Sequence, residues 1–182
     1  MPCLCPDCAF ITRDLPALTP LPGAGELWRV DCHWLSPLVN GVAVLIRRSF
    51  TTDGASIPRV AWRVIGHPFA KDMLPHALGH DGLYAAELLS RKEADDWMLT
   101  SMALAEDNFP GQPVSWAKRN AVWSAVRTGG GFVWRGHTPE SVAEARRLVS
   151  LVRMPEYDAL RNNPSIHVAD ALLLAPSSGG NR

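Results

Sequence analysis

No apolar run in the 182-residue chain approaches the roughly 18 residues that a membrane-spanning helix needs. Neither sign of charge is in excess: 18 Lys and Arg meet 18 Asp and Glu, for a formal net charge of zero. That argues against a general nucleic-acid binder, which carries a basic surplus to neutralise phosphates. Arg146 and Arg147 make a local basic spot and nothing larger. The opening residues, MPCLCPDCAF, have neither the basic start nor the apolar core of a signal peptide, so synthesis in a cytoplasm is expected. The sequence has no internal repeat and only four cysteines, of which Cys3, Cys5 and Cys8 crowd the first eight residues and Cys32 stands beside His33. In a reducing compartment these are not expected to form disulfides. A C-x-C-x2-C cluster can take zinc or an iron–sulfur centre if Cys32 or His33 adds a fourth ligand. Its spacing is not that of paired C-x2-C knuckles, and free thiols at a flexible end are the plainer reading.

What is present is an ordinary globular composition, 47% hydrophobic and 20% charged. Seven tryptophans are many for this length and belong either to a core or to a partner surface. Residues 9–26, rich in proline and glycine, read as an extended arm. Residues 27–36 and 41–49 read as strands, joined by Asn40-Gly41, two residues that tolerate positive φ in a tight hairpin. The polar loop FTTDGASIPR follows. Helices are then expected over 58–65, 74–88, from the Ser90-x-x-Glu93 capping box to about 106, and from Gln112-Pro113 to Gly129-Gly130-Gly131. FVWRG reads as a strand. Thr138 and Pro139 open a last helix that ends before Pro155, and a low-complexity end closes the chain. These patterns divide the chain into an arm (1–26), one globular domain (27–153) and a C-terminal tail (154–182). The expected fold is α+β: an N-terminal β-hairpin region on a mainly helical core built around the antiparallel pair 74–88 and 91–106.

The chemistry gathers on that pair. Residues three or four apart share a helix face, so His76, His80 and Tyr84 line up, with Asp81 about 100° round from His80. Asp95, Met98, Met102 and Ala105 form the apolar stripe of the next helix, which turns Asp95 toward the core and leaves Asp96 at its edge. A buried carboxylate needs partners. On the plain reading Asp95 bonds a histidine, an arginine or Tyr84 and ties two helices together. On the other, Asp53 in its Asp-Gly loop and Asp81 add hard oxygen ligands that suit calcium better than zinc. His76 reads either as a further polar group at the site mouth, where it would touch substrate, or as a partly exposed surface histidine.

The segments Asp53-Gly-Ala-Ser-Ile-Pro58, His80-Asp-Gly-Leu-Tyr84, Ser90-Arg-Lys-Glu-Ala-Asp95 and the A-V-x-x-A-V-R-x-G end of the next helix carry a resemblance. Over roughly residues 40–130 the chain is similar to a group of short phage and prophage proteins of unassigned function. That resemblance implies synthesis in a bacterial cytoplasm, incorporation into a virion, and other virion proteins as partners. It also gives Arg91 interest as a clamp on Asp95 or on an anionic substrate.

More distantly, the order of Asp loop, His-Asp-x-x-Tyr helix and following Asp resembles the bacterial secreted phospholipases A2. That likeness implies His80 as the general base, Asp95 as its orienter, Tyr84 as a support for Asp95, and Asp53, the Gly54 carbonyl and Asp81 as calcium ligands. It implies a phospholipid or other cell-envelope ester as substrate. The pattern departs from that family in having no cysteine near the loop or just before His80. The step from His80 to Asp95 is also shorter. The two can meet only if the helix stops near Ala86, because each further turn carries His80 away from the bend. Four functions therefore stand side by side: a metal-assisted hydrolase of this type, a cell-wall hydrolase at the same site, a non-catalytic virion or tail component, and an effector that binds a host protein.

Overall fold

The computed structural model describes residues 9–23, 27–53, 70, 72–104 and 114–174. In chain order the strands are β1 (Ile11–Thr12), β2 (Leu18–Pro20), β3 (Trp28–Val30), β4 (His33–Leu35), β5 (Ala43–Ile46), β6 (Thr51–Thr52) and β7 (Val149–Val152). The helices are α1 (Leu74–Ala86), α2 (Arg91–Ala103), α3 (Trp116–Arg135), α4 (Pro139–Leu148), α5 (Glu156–Asn162) and α6 (Ile166–Leu174). This is an α+β fold. The helix expected over 58–65 lies outside the described residues.

The Asn40-Gly41 hairpin forms. Trp34 stands opposite Ile46 and Leu35 opposite Leu45, and Val39 and Val42 exchange both backbone bonds at 2.9 and 3.0 Å. Asn40 and Gly41 take φ of 51° and 77°, the two left-handed positions of such a turn. The strand expected over 27–36 is instead two strands in two sheets, one ordered β1-β4-β5-β7 and the other β2-β3-β6. They part at Asp31-Cys32. There the Asp31 amide donates to the Ala17 carbonyl at 3.0 Å, and its carboxylate accepts from Thr19 at 2.6 Å. The arm is not loose over its described residues: β1 runs parallel to β4 and β2 antiparallel to β3, which uses backbone groups that would otherwise lack partners.

All four residues of β5 are buried, and they alternate. Val44 and Ile46 join the core under α1 and α2. Ala43 and Leu45 join a second core on the other face, made with Ile11, Leu35, Val152, Leu160, Ile166 and Ala169. The segment expected as a C-terminal tail thus supplies two helices that cover a sheet face. It is tied to the arm by Ile166 N–H to the Ala9 carbonyl at 2.7 Å and Ile11 N–H to the Pro164 carbonyl at 2.9 Å. The last expected helix also ends early, at Leu148. Val149–Val152 pair residue for residue with Ile46–Ala43 instead, since sheet pairing and the burial of Val149 and Val152 outweigh local helical propensity.

α1 and α2 are antiparallel, as the pairings Tyr84 with Asp95, His80 with Asp95 and His76 with Ser101 require. α1 stops at Ala86 because Glu87 turns left-handed (φ 46°) and sends its N–H back to the Tyr84 carbonyl. Arg146 of α4 then satisfies the exposed end, with Nε donating to the Ala86 carbonyl at 2.8 Å and Nη2 to the Glu87 carbonyl at 3.3 Å. The capping box of Ser90 and Glu93 opens α2 as expected. α3 does not stop at the three glycines, and FVWRG forms its last turn and C-cap rather than a strand. A Cβ at Gly130 would lie 2.7 Å from Tyr84 Oη, so this glycine serves close packing on α1 and does not break the helix.

Candidate functional site

His80 and Tyr84 sit one turn apart on α1, and Asp95 faces them from the first half of α2. Asp95 is fully buried. Its Oδ1 accepts from His80 Nε2 at 2.8 Å and from Tyr84 Oη at 2.6 Å, while Oδ2 accepts from Arg127 Nη1 at 2.6 Å. Burial alone would raise the Asp95 pKa. The three donors outweigh it and hold the carboxyl below its ordinary value, so it stands as a carboxylate. Tyr84 is shifted upward by burial and by the adjacent carboxylate, which keeps its proton on the phenol.

An ionised Asp95 decides the histidine tautomer. Nε2 must carry a proton to donate, so in the neutral ring the lone pair is on Nδ1. Nδ1 is buried and has no hydrogen-bond partner among the described residues. Its neighbour is Asp81 Oδ1, 3.9 Å away. Burial disfavours a charged His80, but the carboxylates of Asp81 and Asp95 prevail and raise its pKa above the usual imidazole value. The ring thus has one nitrogen fixed by a carboxylate and the other buried beside a second carboxylate.

Asp81 leads from the histidine to a cleft of about 190 Å³ whose lining mixes polar groups (Thr51, Thr52, Asp53, Asp81, Tyr84, His137) with apolar ones (Leu27, Phe50, Ala85, Val133). Thr52 Oγ1 donates a short hydrogen bond to Asp81 Oδ2, which fixes that carboxylate at the cleft wall. The two carboxylates expected as calcium ligands therefore face one cavity. Gly54 lies outside the described residues. Among the described residues no group of three or more His, Cys, Asp or Glu is placed to hold a metal ion.

The other expected residues fall elsewhere. His76 is neither at a site mouth nor on the surface. It is 4% exposed, and its Nδ1 lies 2.9 Å from Ser101 Oγ. The serine hydroxyl donates to the Met98 carbonyl, so the His76 Nδ1–H is the donor in a tie between α1 and α2. Burial, partly offset by Asp72, lowers its pKa to about 4. Arg91 does not clamp Asp95. Its Nη1 donates to the Arg127 carbonyl at 3.1 Å and so braces α3. Cys3, Cys5 and Cys8 lie outside the described residues, and Cys32 is buried. The residue that does clamp Asp95, Arg127, lay in the quoted A-V-x-x-A-V-R-x-G segment. Its role was hidden because its partner is 32 residues away on another helix. Thr52 gave no signal at all.

Residues 28–126, more than half of the chain, match the family described as protein of unknown function (DUF1353). The chain belongs to this family. The DUF1353 segment carries Thr52, Asp53, His80, Asp81, Tyr84 and Asp95, and it ends one residue before Arg127. No curated protein and no solved structure matches the chain. No helix among the described residues is long and apolar enough to cross a membrane.

Proposed function

We propose that this DUF1353 protein is a phage- or prophage-encoded, metal-assisted hydrolase of phospholipase A2 type that acts on a cell-envelope ester. The observation that carries the reading is the state of His80: Nε2 is held by a buried carboxylate, and Nδ1, without a hydrogen-bond partner among the described residues, lies beside Asp81, which lines the cleft. His80 Nδ1 takes the proton of the attacking water. Asp95 stabilises the imidazolium that forms, and Tyr84 and Arg127 keep that carboxylate in place. The apolar residues of the lining, Leu27, Phe50, Ala85 and Val133, accommodate the acyl part of the ester. Asp53 and Asp81 are oxygen donors of the kind calcium takes, and the cleft sets both at one cavity. Calcium held there would polarise the ester carbonyl.

A second reading, a non-catalytic virion or tail component, draws support from two observations. The His80 side chain is 1% exposed, and Trp116 and Phe132 stand out at 70% and 82% exposure, as interface residues do. Hydrolysis of a fluorogenic phospholipid panel, with calcium and with chelator, separates the two. Calcium-dependent turnover that vanishes in His80→Ala supports the hydrolase. No turnover above that control moves the protein to the virion component.

A further inference from the structure

Glu87, at the end of α1, holds a left-handed backbone (φ 46°) that glycine takes at less cost. Strain of this kind marks a place where a side chain is needed. The Glu87 carboxylate reaches His137, fifty residues on in the chain: Oε1 accepts from Nδ1 at 3.0 Å. The His137 ring also rests near Trp134, with centroids 5.8 Å apart, so two groups fix its orientation. Among the described residues His137 is the histidine that lines the cleft with Asp53 and Asp81, whereas His80 stands behind Asp81. Glu87 belongs instead to the lining of a neighbouring cavity of about 440 Å³, beside Thr138 and Arg146. Nδ1 is thus turned to that cavity, which leaves the Nε2 edge of the ring for the cleft. The His137 side chain is 17% exposed, against 1% for His80. Its Nε2 makes no hydrogen bond among the described residues and is not a buried nitrogen left without a partner, so solvent reaches it.

We propose that His137 is a specificity-determining residue of the cleft: through Nε2 it accepts a hydrogen bond from the polar head of the ester, and so selects heads that carry an ammonium or hydroxyl donor. The proposal rests on the hydrolase reading for the identity of the ligand, although binding can be read without turnover. A carboxylate only accepts, so the proton of the neutral His137 ring is on Nδ1, toward Glu87, and the lone pair is on Nε2. An ethanolamine head offers N–H to that lone pair, and a glycerol head offers O–H. A choline head has neither, because its nitrogen is fully methylated. Glu87 is then the positioning residue: it fixes the ring so that the accepting atom is the one that meets the ligand.

The test is titration calorimetry at alkaline pH, with calcium, using short-chain dialkyl ether phospholipids that have no ester to cleave. Ethanolamine, glycerol and choline heads are compared on wild type, His137→Asn and His137→Gln. Asparagine sets an amide N–H where Nδ1 stands, so it keeps the tie to Glu87 and has nothing at Nε2. Glutamine sets an amide oxygen near Nε2 and gives up the tie. Wild type is expected to bind a donor head about tenfold more tightly than choline, the size of one hydrogen bond, and the head that wins names the donor. His137→Asn is expected to keep the wild-type Tm and lose that preference, and His137→Gln to keep the preference at a lower Tm. A preference kept in His137→Asn and lost in His137→Gln makes the residue a tie to Glu87 and overturns the proposal. So does a wild type that binds the three heads equally or binds none. Should His137→Asn fail to fold, carbethoxylation of wild type by diethyl pyrocarbonate decides. The donor-head lipid is expected to protect His137 where the choline lipid does not, and equal modification in both overturns the proposal. A head preference that His137→Asn removes, in a protein that hydrolyses no ester, leaves the contact standing and removes the hydrolase reading. Turnover indifferent to the head does the reverse.

Discussion

His80 Nε2 lies 2.8 Å from Asp95 Oδ1, although only fifteen residues separate them along the chain. Two helices joined so closely bring such positions together only when the bend is tight and near. Here α1 ends at Ala86, six residues after His80, and α2 begins at Arg91. The left-handed Glu87 costs on the order of 1–2 kcal/mol as a non-glycine residue. Arg146 offsets that cost by satisfying the Ala86 and Glu87 carbonyls.

The dyad makes the first prediction. Asp95→Asn keeps the side-chain shape and removes the charge that fixes the ring, and ester hydrolysis is expected to fall by about 10² to 10⁴-fold. Tyr84→Phe removes one of three donors to a buried carboxylate. It is expected to cost about 1–3 kcal/mol in urea unfolding while retaining most of the turnover. Equal loss of turnover in the two variants would contradict the roles assigned to them.

Adjacent glycines of α3 should respond in opposite directions. Alanine at Gly130 meets Tyr84 Oη at 2.7 Å and Cε1 at 3.2 Å, so overpacking is expected to outweigh the helix propensity gained, for a net loss of about 1–3 kcal/mol. At Gly131 the nearest atom, Arg91 Nη1, is 3.5 Å away, and alanine there is expected to stabilise by up to about 1 kcal/mol. Thermal unfolding of the two variants side by side checks the sign of each.

His76 sets an acid limit on the fold. Unfolded, it titrates near 6.5; in the fold, burial holds it at about 4. Between these values the unfolded chain binds more protons. Stability is therefore complete above 6.5 and declines as pH falls toward 4, by about 3 kcal/mol at most from this group. His76→Gln can still donate to Ser101 and has no titration in that window. Its unfolding free energy should vary less between those two pH values than that of the wild type, and an unchanged slope would remove His76 as the cause.

Calcium at Asp53 and Asp81 makes a prediction independent of turnover. A ligand that binds only the folded state stabilises it by about 2.7 kcal/mol at a hundred times its Kd. Calorimetry should show Tm rising with calcium in the wild type and not in Asp81→Asn or Asp53→Asn. Magnesium should do less, since it holds its own waters more tightly. A wild-type Tm indifferent to calcium would sink the metal part of the reading.

Some of this was legible beforehand because it is local. Asn40-Gly41 marks its hairpin by backbone preference, Ser90 and Glu93 mark a helix start by reciprocal bonds, and the spacing of His80, Tyr84 and Asp95 sets them on facing stripes. Misreadings arose where one local signal served a different end. The glycines at 129–131 look like a helix stop, yet Gly130 is there so that a tyrosine can approach. Val149–Val152 continues a helical pattern, yet β5 has an open edge that it completes. Arg91 opens α2 and Arg127 lies midway along α3, and only the crossing of α3 over α2 shows which one meets Asp95.

By itself the sequence determined the α+β class, the hairpin, the paired helices and the four polar residues Asp53, His80, Asp81 and Asp95, since turn chemistry, capping and helical periodicity act over a few residues. The tertiary structure alone decided that the arm and the C-terminal helices build sheet and core, that His76 is a buried tie, and that Arg127 completes the Asp95 site. Those outcomes depend on burial and on partners distant in the chain. Burial settles which polar groups must find a counter-charge, and only the packing of one element on another supplies it.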